Sequence, residues 1–381
     1  MEYIPLRVII SGGGTGGHIF PAISIAGKLK ELNPETEILF VGAEGKMEME
    51  KVPAAGYRIV GLPVVGLQRQ VNWQNIKNDL SIPFKILKSL RLAGKIIKDF
   101  RPDIVIGVGG YASAPLLWKA TSMHCPTLIQ EQNGFAGLTN KILGKRVGRI
   151  CVAYEGMEKF FPAGKIVLTG NPIRPEISPR TDKLFAEGIK YYGLRSDCRH
   201  LLVVGGSLGS GTLNNAMRHW IEGGLQGGED VEVLWQCGKY YKAGIDRFMR
   251  EAREIGLPVE KVHHSEFIGR MDLAYAVADV VISRSGASSV SEICAAHKAA
   301  IFVPSPNVAE DHQTHNAMAL VNRDAAVLVH DAQARERLLP EAIALLHDEA
   351  RIRRIEEEAA KLARTQAALD IANEVYKLLG K

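Results

Sequence analysis

Residues 7–22 read RVIISGGGTGGHIFPA and residues 199–213 read RHLLVVGGSLGSGTL. Each is a short aliphatic run that ends in glycines and passes into a segment suited to a helix. Strand, tight turn and helix in that order open a βαβ unit. Working outward from the first, strand-like runs recur at 37–41, 103–108, 126–130 and 150–153, with a helix expected from Phe20 to Leu32. Outward from the second they recur at 231–236, 280–283 and 300–303, with a helix beginning near Thr212. Continuous apolar runs separated by helices indicate parallel sheets covered on both faces. A chain of 381 residues also exceeds what one core usually supports. The expected fold is therefore α/β, with two Rossmann-like, doubly wound domains facing a central cleft. Between them lies the turn-rich TGNPIRP, residues 169–175, and the Ala-, Glu- and Lys-rich stretch from about Asp348 to Leu379 reads as helical. The expected domains are 1–169 and 170–359, with a C-terminal helical segment, 360–381, crossing back to the first.

Composition narrows the class. With 46% hydrophobic and 23% charged residues the chain is neither disordered nor fibrous, and a net charge of +5 is too mild to suggest nucleic acid. Five cysteines without a C-x-x-C spacing read as buried, reduced thiols. The first strand leads directly into glycines, so no signal peptide is expected, and no apolar run approaches the roughly 20 residues that span a bilayer.

Gly12, Gly14 and Gly17 satisfy G-x-G-x-x-G between a strand and a helix. Such a loop lets backbone N–H groups approach a diphosphate, and the helix N-terminus adds partial positive charge. A nicotinamide site would want an acid at the end of the second strand, where this chain has Val41-Gly42 and only a loosely placed Glu44. The alternative is a tight turn with no ligand. His18, at the mouth of the loop, reads either as a surface or capping residue or as a general base held neutral by the helix dipole. The second loop, 205–209, adds the hydroxyl of Ser207, with Arg174 as a possible charged partner or a solvated arginine. Ser283 to Glu292 reads SRSGASSVSE. It is either an anion site at a helix N-terminus, with Glu292 on a ribose diol, or a helix capped by Ser285 or Ser288. In EDHQTHNA, residues 310–317, Asp311, His312 and His315 are a weak metal pattern, and the chain holds no D-x-D. No metal and no cofactor are expected.

Taken in order, GGGTGGHIFPA (12–22), GVGGYASAP (107–115), QEQNGFAGLTN (130–140), TGNPIR (169–174), GGSLG (205–209), EFIGRM (266–271), SRSGASSVSE (283–292) and EDHQTHNA (310–317) are specific as a set. The chain resembles the family of UDP-N-acetylglucosamine:lipid I N-acetylglucosaminyltransferases of bacterial peptidoglycan synthesis. The resemblance runs from about Val8 to Ala317. It implies the two-domain GT-B fold, with donor held mainly by the C-terminal domain and acceptor by the N-terminal one. It implies cleft contacts from Thr15, Gly16 and Gly17, a donor-sugar contact from Asn133, and Arg174 and Ser207 at the nucleotide diphosphate. It further implies uracil at the Ile268 backbone, phosphate near Ala287, Ser288, Ser289, Val290 and Ser291, ribose on Glu292, and GlcNAc hydroxyls on Gln313. His312 stands where the family often has Gln. The implied reaction is an inverting transfer of GlcNAc to the C4 hydroxyl of the muramyl sugar of lipid I, giving a β1→4 bond in lipid II. His18 is the expected base, and Glu131 its orienter or replacement. Closure about TGNPIRP is expected. The rivals are a nucleotide-sugar epimerase and a nicotinamide oxidoreductase.

A lipid acceptor directs attention to charge. Residues 69–101 hold Arg69, Lys77, Lys85, Lys88, Arg91, Lys95, Lys98 and Arg101 against Asp79 and Asp99, a net of +6 that leaves the rest of the chain at −1. Ile86, Leu90, Ala93 and Ile97 share one helical face and Lys88, Arg91, Lys95 and Lys98 another. The segment reads as an amphipathic helix with a solvated basic face, or as a dock for anionic membrane into which Trp73, Ile76 and Phe84 dip. The expected location is the cytoplasmic face of the inner membrane, as a peripheral protein.

Overall fold

The computed structural model describes residues 3–64 and 73–381, with side chains in the helix Trp73–Phe100 from Lys85 onward. The chain divides into two compact units, residues 1–173 with 365–381, and residues 174–364. In the first unit, strands β1 (Arg7–Ser11), β2 (Glu37–Ala43), β3 (Arg58–Leu62), β4 (Ile104–Gly107), β5 (Thr127–Glu131), β6 (Arg149–Val152) and β7 (Ile166–Leu168) form one sheet in the order β3-β2-β1-β4-β5-β6-β7. In the second, β8 (Arg199–Val204), β9 (Val231–Gln236), β10 (Val262–Ser265), β11 (Val280–Ser283), β12 (Ala299–Phe302) and β13 (Val327–Leu328) form another in the order β10-β9-β8-β11-β12-β13. Every pairing is parallel.

The strand β1 shows why its sequence is apolar throughout. Val8 and Ile10 are buried against Ile19, Ile25 and Leu29 on one face, while Ile9 on the other packs with Leu39, Ala93, Ile97 and Leu117. A strand covered on both faces cannot alternate with polar residues. β3, β7, β10 and β13 escape the sequence reading, and they are the four sheet edges. All four are mostly half-exposed; β3 and β10 carry polar members such as Arg58, His263 and His264, and β7 and β13 are only three and two residues long, so the apolar run that marks the central strands is missing.

Two helical expectations are corrected. The first helix spans Gly16–Leu32 and begins four residues before Phe20. The first turn needs no intrahelical partners for its N–H groups, so glycines there do not delay the helix as their propensity suggests. The C-terminal stretch is two helices, Glu349–Leu362 and Ala367–Leu378, and the unit boundary at Thr365 falls between them. The second buries Ile371, Ala372, Val375 and Tyr376 in the core of the first unit. The cysteines carry no disulfide; Cys151, Cys237 and Cys294 are buried, and burial pushes Cys294 up to about 12.

Candidate active site

In a doubly wound sheet, ligands bind beyond the carboxyl ends of the strands where the strand order reverses. In the first unit that point lies between β1 and β4, and in the second between β8 and β11. The loops that leave those four strands are Gly12–Gly17, Val108–Tyr111, Gly205–Gly209 and Arg284–Gly286. All four belong to the motifs quoted above.

In the first unit the glycines answer to packing before they answer to any ligand. Glu48 is fully buried beneath the loop, accepting a hydrogen bond from the Ala43 N–H (2.9 Å) on one oxygen and from the Gly14 N–H (2.9 Å) on the other. A Cβ on Gly13 would stand 2.1 Å from its carboxylate oxygen, and one on Gly42 would stand 2.5 Å from its Cγ. A Cβ on Gly110 would meet the Gly13 carbonyl at 2.4 Å, so the two loops touch backbone to backbone. The Gly14 amide, which the sequence reading offers to a phosphate, thus already serves a carboxylate.

His18 sits in the first helical turn, half-buried, with Thr15 and Gly17 exposed and Gly16 half-exposed beside it. Its Nδ1 lies 3.1 Å from Oε1 of Gln132, and its ring lies against Gly109, where a Cβ would come within 2.7 Å of Nδ1. Glu131, expected as the orienter of His18 or its replacement, has its carboxylate on its own loop. Its carboxylate accepts from the N–H of Asn133 (3.1 Å), the N–H of Gly137 (3.1 Å) and Nδ2 of Asn140 (2.9 Å). Burial raises its pKa, and those hydrogen bonds oppose the rise. Asn133 also directs Nδ2 toward Glu131 Oε1, at 3.4 Å. The residue at His18 is therefore the next one along, Gln132, which the sequence reading did not single out. In a strand and its extension successive side chains face opposite ways, so a shift of one residue exchanges the two.

In the second unit, helix Ala287–Ala295 starts at Gly286 with no side-chain cap. Ser285, a proposed cap, instead donates to the carbonyl of Gln313 (2.8 Å). The first-turn amides of Ala287, Ser288 and Ser289 therefore keep their donor capacity, with the three residues half-buried. Val290 is buried and Ser291 half-buried behind them. Glu292 is buried and joined to Arg174 through two hydrogen bonds, 2.8 Å from Nε and 2.6 Å from the terminal nitrogen. Burial opposes the charge on Arg174, but the hydrogen-bonded Glu292, with Tyr275 and Glu176 nearby, offsets this and the Arg174 pKa rises. Tyr275 is buried against the same carboxylate, and its hydroxyl is pushed well up. Arg174 thus grips Glu292, whose carboxylate also takes the Tyr275 hydroxyl.

Ser207 is exposed on the β8 loop. The Ile268 N–H donates to Gln236 Oε1 (2.8 Å). Gln313 accepts from the Ser305 N–H (2.8 Å) through Oε1, so its amide NH2 is the end turned to other partners. Arg284, whose place in SRSGASSVSE gives no sign of a role, ties the loops together. It reaches Ser210 Oγ (3.0 Å), the Val303 carbonyl (2.8 Å) and Asp331.

Two family descriptions match, the glycosyltransferase family 28 N-terminal domain over residues 8–152 and its C-terminal domain over residues 200–375. The chain belongs to glycosyltransferase family 28. It is 52% identical over 377 residues to a UDP-N-acetylglucosamine–N-acetylmuramyl-(pentapeptide) pyrophosphoryl-undecaprenol N-acetylglucosamine transferase of Parabacteroides distasonis, covering 98% of this chain and 99% of the relative. The enzyme of the same name from Bacteroides fragilis is 49% identical over 373 residues, covering 98% and 96%. Among solved structures, Acinetobacter baumannii MurG superposes with a TM-score of 0.77 at 26% identity, covering 98% of this chain and all of that one. A UDP-N-acetylglucosamine 2-epimerase superposes with a TM-score of 0.64 at 14% identity, covering 99% and 96%, a likeness of fold alone. The two parallel-sheet units are the GT-B fold of this glycosyltransferase family.

Proposed function

We propose that this family 28 glycosyltransferase moves GlcNAc from UDP-GlcNAc to lipid I, forming lipid II and UDP. The observation that carries the reading is identity at 52% through the whole length of both chains with a transferase of that name. The epimerase reading rests on a shared fold, which hosts many chemistries.

Residues 170–359 take the donor and residues 1–169, with the returning C-terminal segment, the acceptor. The chemistry of each group supports its role. The Ile268 carbonyl accepts from uracil. The Glu292 carboxylate accepts from the ribose hydroxyls, and the Gln313 NH2 group donates to GlcNAc. Charge that builds on the leaving diphosphate meets the uncapped amides of Ala287 to Ser289, the dipole of their helix and the Ser207 hydroxyl. Arg174 joins them when its fork turns from Glu292, and Asn133 reaches the donor sugar from its loop. His18 takes the proton from the muramyl C4 hydroxyl as the oxygen attacks the anomeric carbon from the face opposite UDP, which inverts that centre. Thr15, Gly16 and Gly17 line the acceptor side of His18. Glu131 shapes the loop beside it.

The acceptor is lipid-linked, and the helix Trp73–Phe100 supports a membrane-facing role. Lys88, Arg91, Lys95 and Lys98 are exposed along it, and Ile86 and Leu87 are exposed by 53% and 47% beside Lys85. No described helix is long and apolar enough to cross a membrane. Attachment to the cytoplasmic surface of the inner membrane through segment 69–101 fits these features; Arg69 lies outside the described residues, as do the side chains of Trp73, Ile76, Lys77, Asp79 and Phe84.

Transfer of labelled GlcNAc to a lipid I analogue tests the reading. His18→Ala should lower kcat by about 10²- to 10⁴-fold, the range of general base catalysis, with UDP-GlcNAc affinity kept. Turnover near that of the parent would remove His18 from the role.

A further inference from the structure

We propose that Gln132 is the positioning residue for His18, and that it holds the imidazole in the Nδ1–H tautomer with Nε2 as the basic nitrogen. The inference rests on the reading of His18 as general base and adds which nitrogen acts and what selects it.

The amide of Gln132 has two N–H donors and one carbonyl acceptor. Both donors are taken by oxygens: Nε2 gives one hydrogen to the Val108 carbonyl (2.8 Å) and the other to Oε1 of Gln130. Turning the amide over would set its carbonyl oxygen against the Val108 carbonyl, a main-chain group that cannot turn in response. The orientation is therefore decided by the network, and the atom left for His18 is Oε1, at 3.1 Å from Nδ1. An amide oxygen only accepts, so Nδ1 must carry the hydrogen. In the neutral ring the lone pair then belongs to Nε2.

The network continues inward. Gln130 donates through Nε2 to Oδ1 of Asn171 (2.9 Å), and Asn171 donates through Nδ2 to the Gln132 carbonyl (3.0 Å). Gln130, Gln132 and Asn171 are all buried, so each lost bond would strand a polar group away from water. The ring itself lies close against a glycine. Gly109, at φ +91°, lies where a Cβ would touch its Nδ1 and Cε1. An amide fixes the ring without placing a charge beside it, whereas a carboxylate in that place would also favour the imidazolium. The choice of Gln over an acid at this position thus has a chemical consequence.

The test uses the full-length chain labelled with 15N-histidine, with the His18 signals identified as those absent from His18→Ala. Above the ring's titration, the parent should show His18 with Nδ1 protonated and Nε2 bare. In Gln132→Leu the Nε2–H form should become the major one, and kcat should fall about 10²-fold with KM for UDP-GlcNAc unchanged. Gln132→Glu should instead keep the Nδ1–H form and move the acidic limb of the kcat profile to higher pH. An Nε2–H tautomer in the parent would overturn the proposal, and that observation needs no variant to fold. A tautomer unchanged in Gln132→Leu would overturn it too. Failure of the base reading is separate: it would appear as turnover by His18→Ala, whatever the spectrum shows.

Discussion

The carboxylate of Glu48 serves two buried N–H groups at once, that of Ala43 at the end of β2 and that of Gly14 at the turn of the first loop. Glu48→Gln keeps the shape but presents an NH2 to one of them, stranding a donor in a dry site. The expected loss is about 1–3 kcal/mol. A lower denaturant midpoint at unchanged m would report it, and an unchanged midpoint would show that Glu48 does not hold the loop. Gly109→Ala should act on the same site from the other side. At φ +91° its new Cβ is both strained and within 2.7 Å of the His18 ring, so kcat should fall more than donor affinity. Activity equal to the parent would mean that the ring stands elsewhere in solution. Both residues show how far single positions can be read. The glycine motif announces a close approach, but not what approaches. Glu48 in GKMEMEK carries no mark of its partner, because Gly14 lies 34 residues away and only the sheet brings them together.

Among the described side chains of the helix Trp73–Phe100, the sequence pattern holds from Ala93 to Ile97 and fails at Ile86. Ala93, Ile96 and Ile97 are buried as the helical spacing demands, whereas Ile86, assigned to the same face, stands 53% exposed beside Leu87. A helix buries a continuous stripe only while there is a sheet beneath it, and periodicity cannot say where the sheet stops. Exposed apolar residues next to bases are what an anionic bilayer surface favours. Reversing Lys88, Arg91 and Lys95 to Glu removes three bases worth about 1 kcal/mol each, so binding to vesicles containing anionic lipid should fall by roughly a hundredfold or more. Cosedimentation unchanged by the triple reversal would exclude this helix as the dock. The edge strands make the complementary point. β3, β7, β10 and β13 exist because a neighbour offers hydrogen bonds, and their own half-exposed sequences do not demand a strand.

For the whole molecule, the return of the chain to its first unit is the feature with most at stake. Helix Ala367–Leu378 buries Ile371, Val375 and Tyr376 under the first sheet. Tyr376 donates to the Ile4 carbonyl (2.9 Å), Tyr3 donates to Asn373 Oδ1 (2.9 Å), and Arg149 pairs with Glu374 (3.1 Å). Burial of three large side chains contributes about 1.5–3 kcal/mol each. That sum is of the order of a domain's entire stability. A chain ending at Arg364 should therefore lose the cooperative unfolding of the first unit while the second still melts; two intact transitions would refute this. Alternating apolar runs and glycine loops were enough to establish two parallel α/β sheets, because a strand buried on both faces must be apolar along its length. The ordered motifs were enough to establish the family, because few chains share so many short patterns in one order. The tertiary structure alone decided that Gln132 rather than Glu131 meets His18, that Glu48 lies under the loop, and that Arg174 grips Glu292. Each is a contact between segments distant in sequence, and its partner is chosen by sheet order and side-chain direction, which local patterns do not encode.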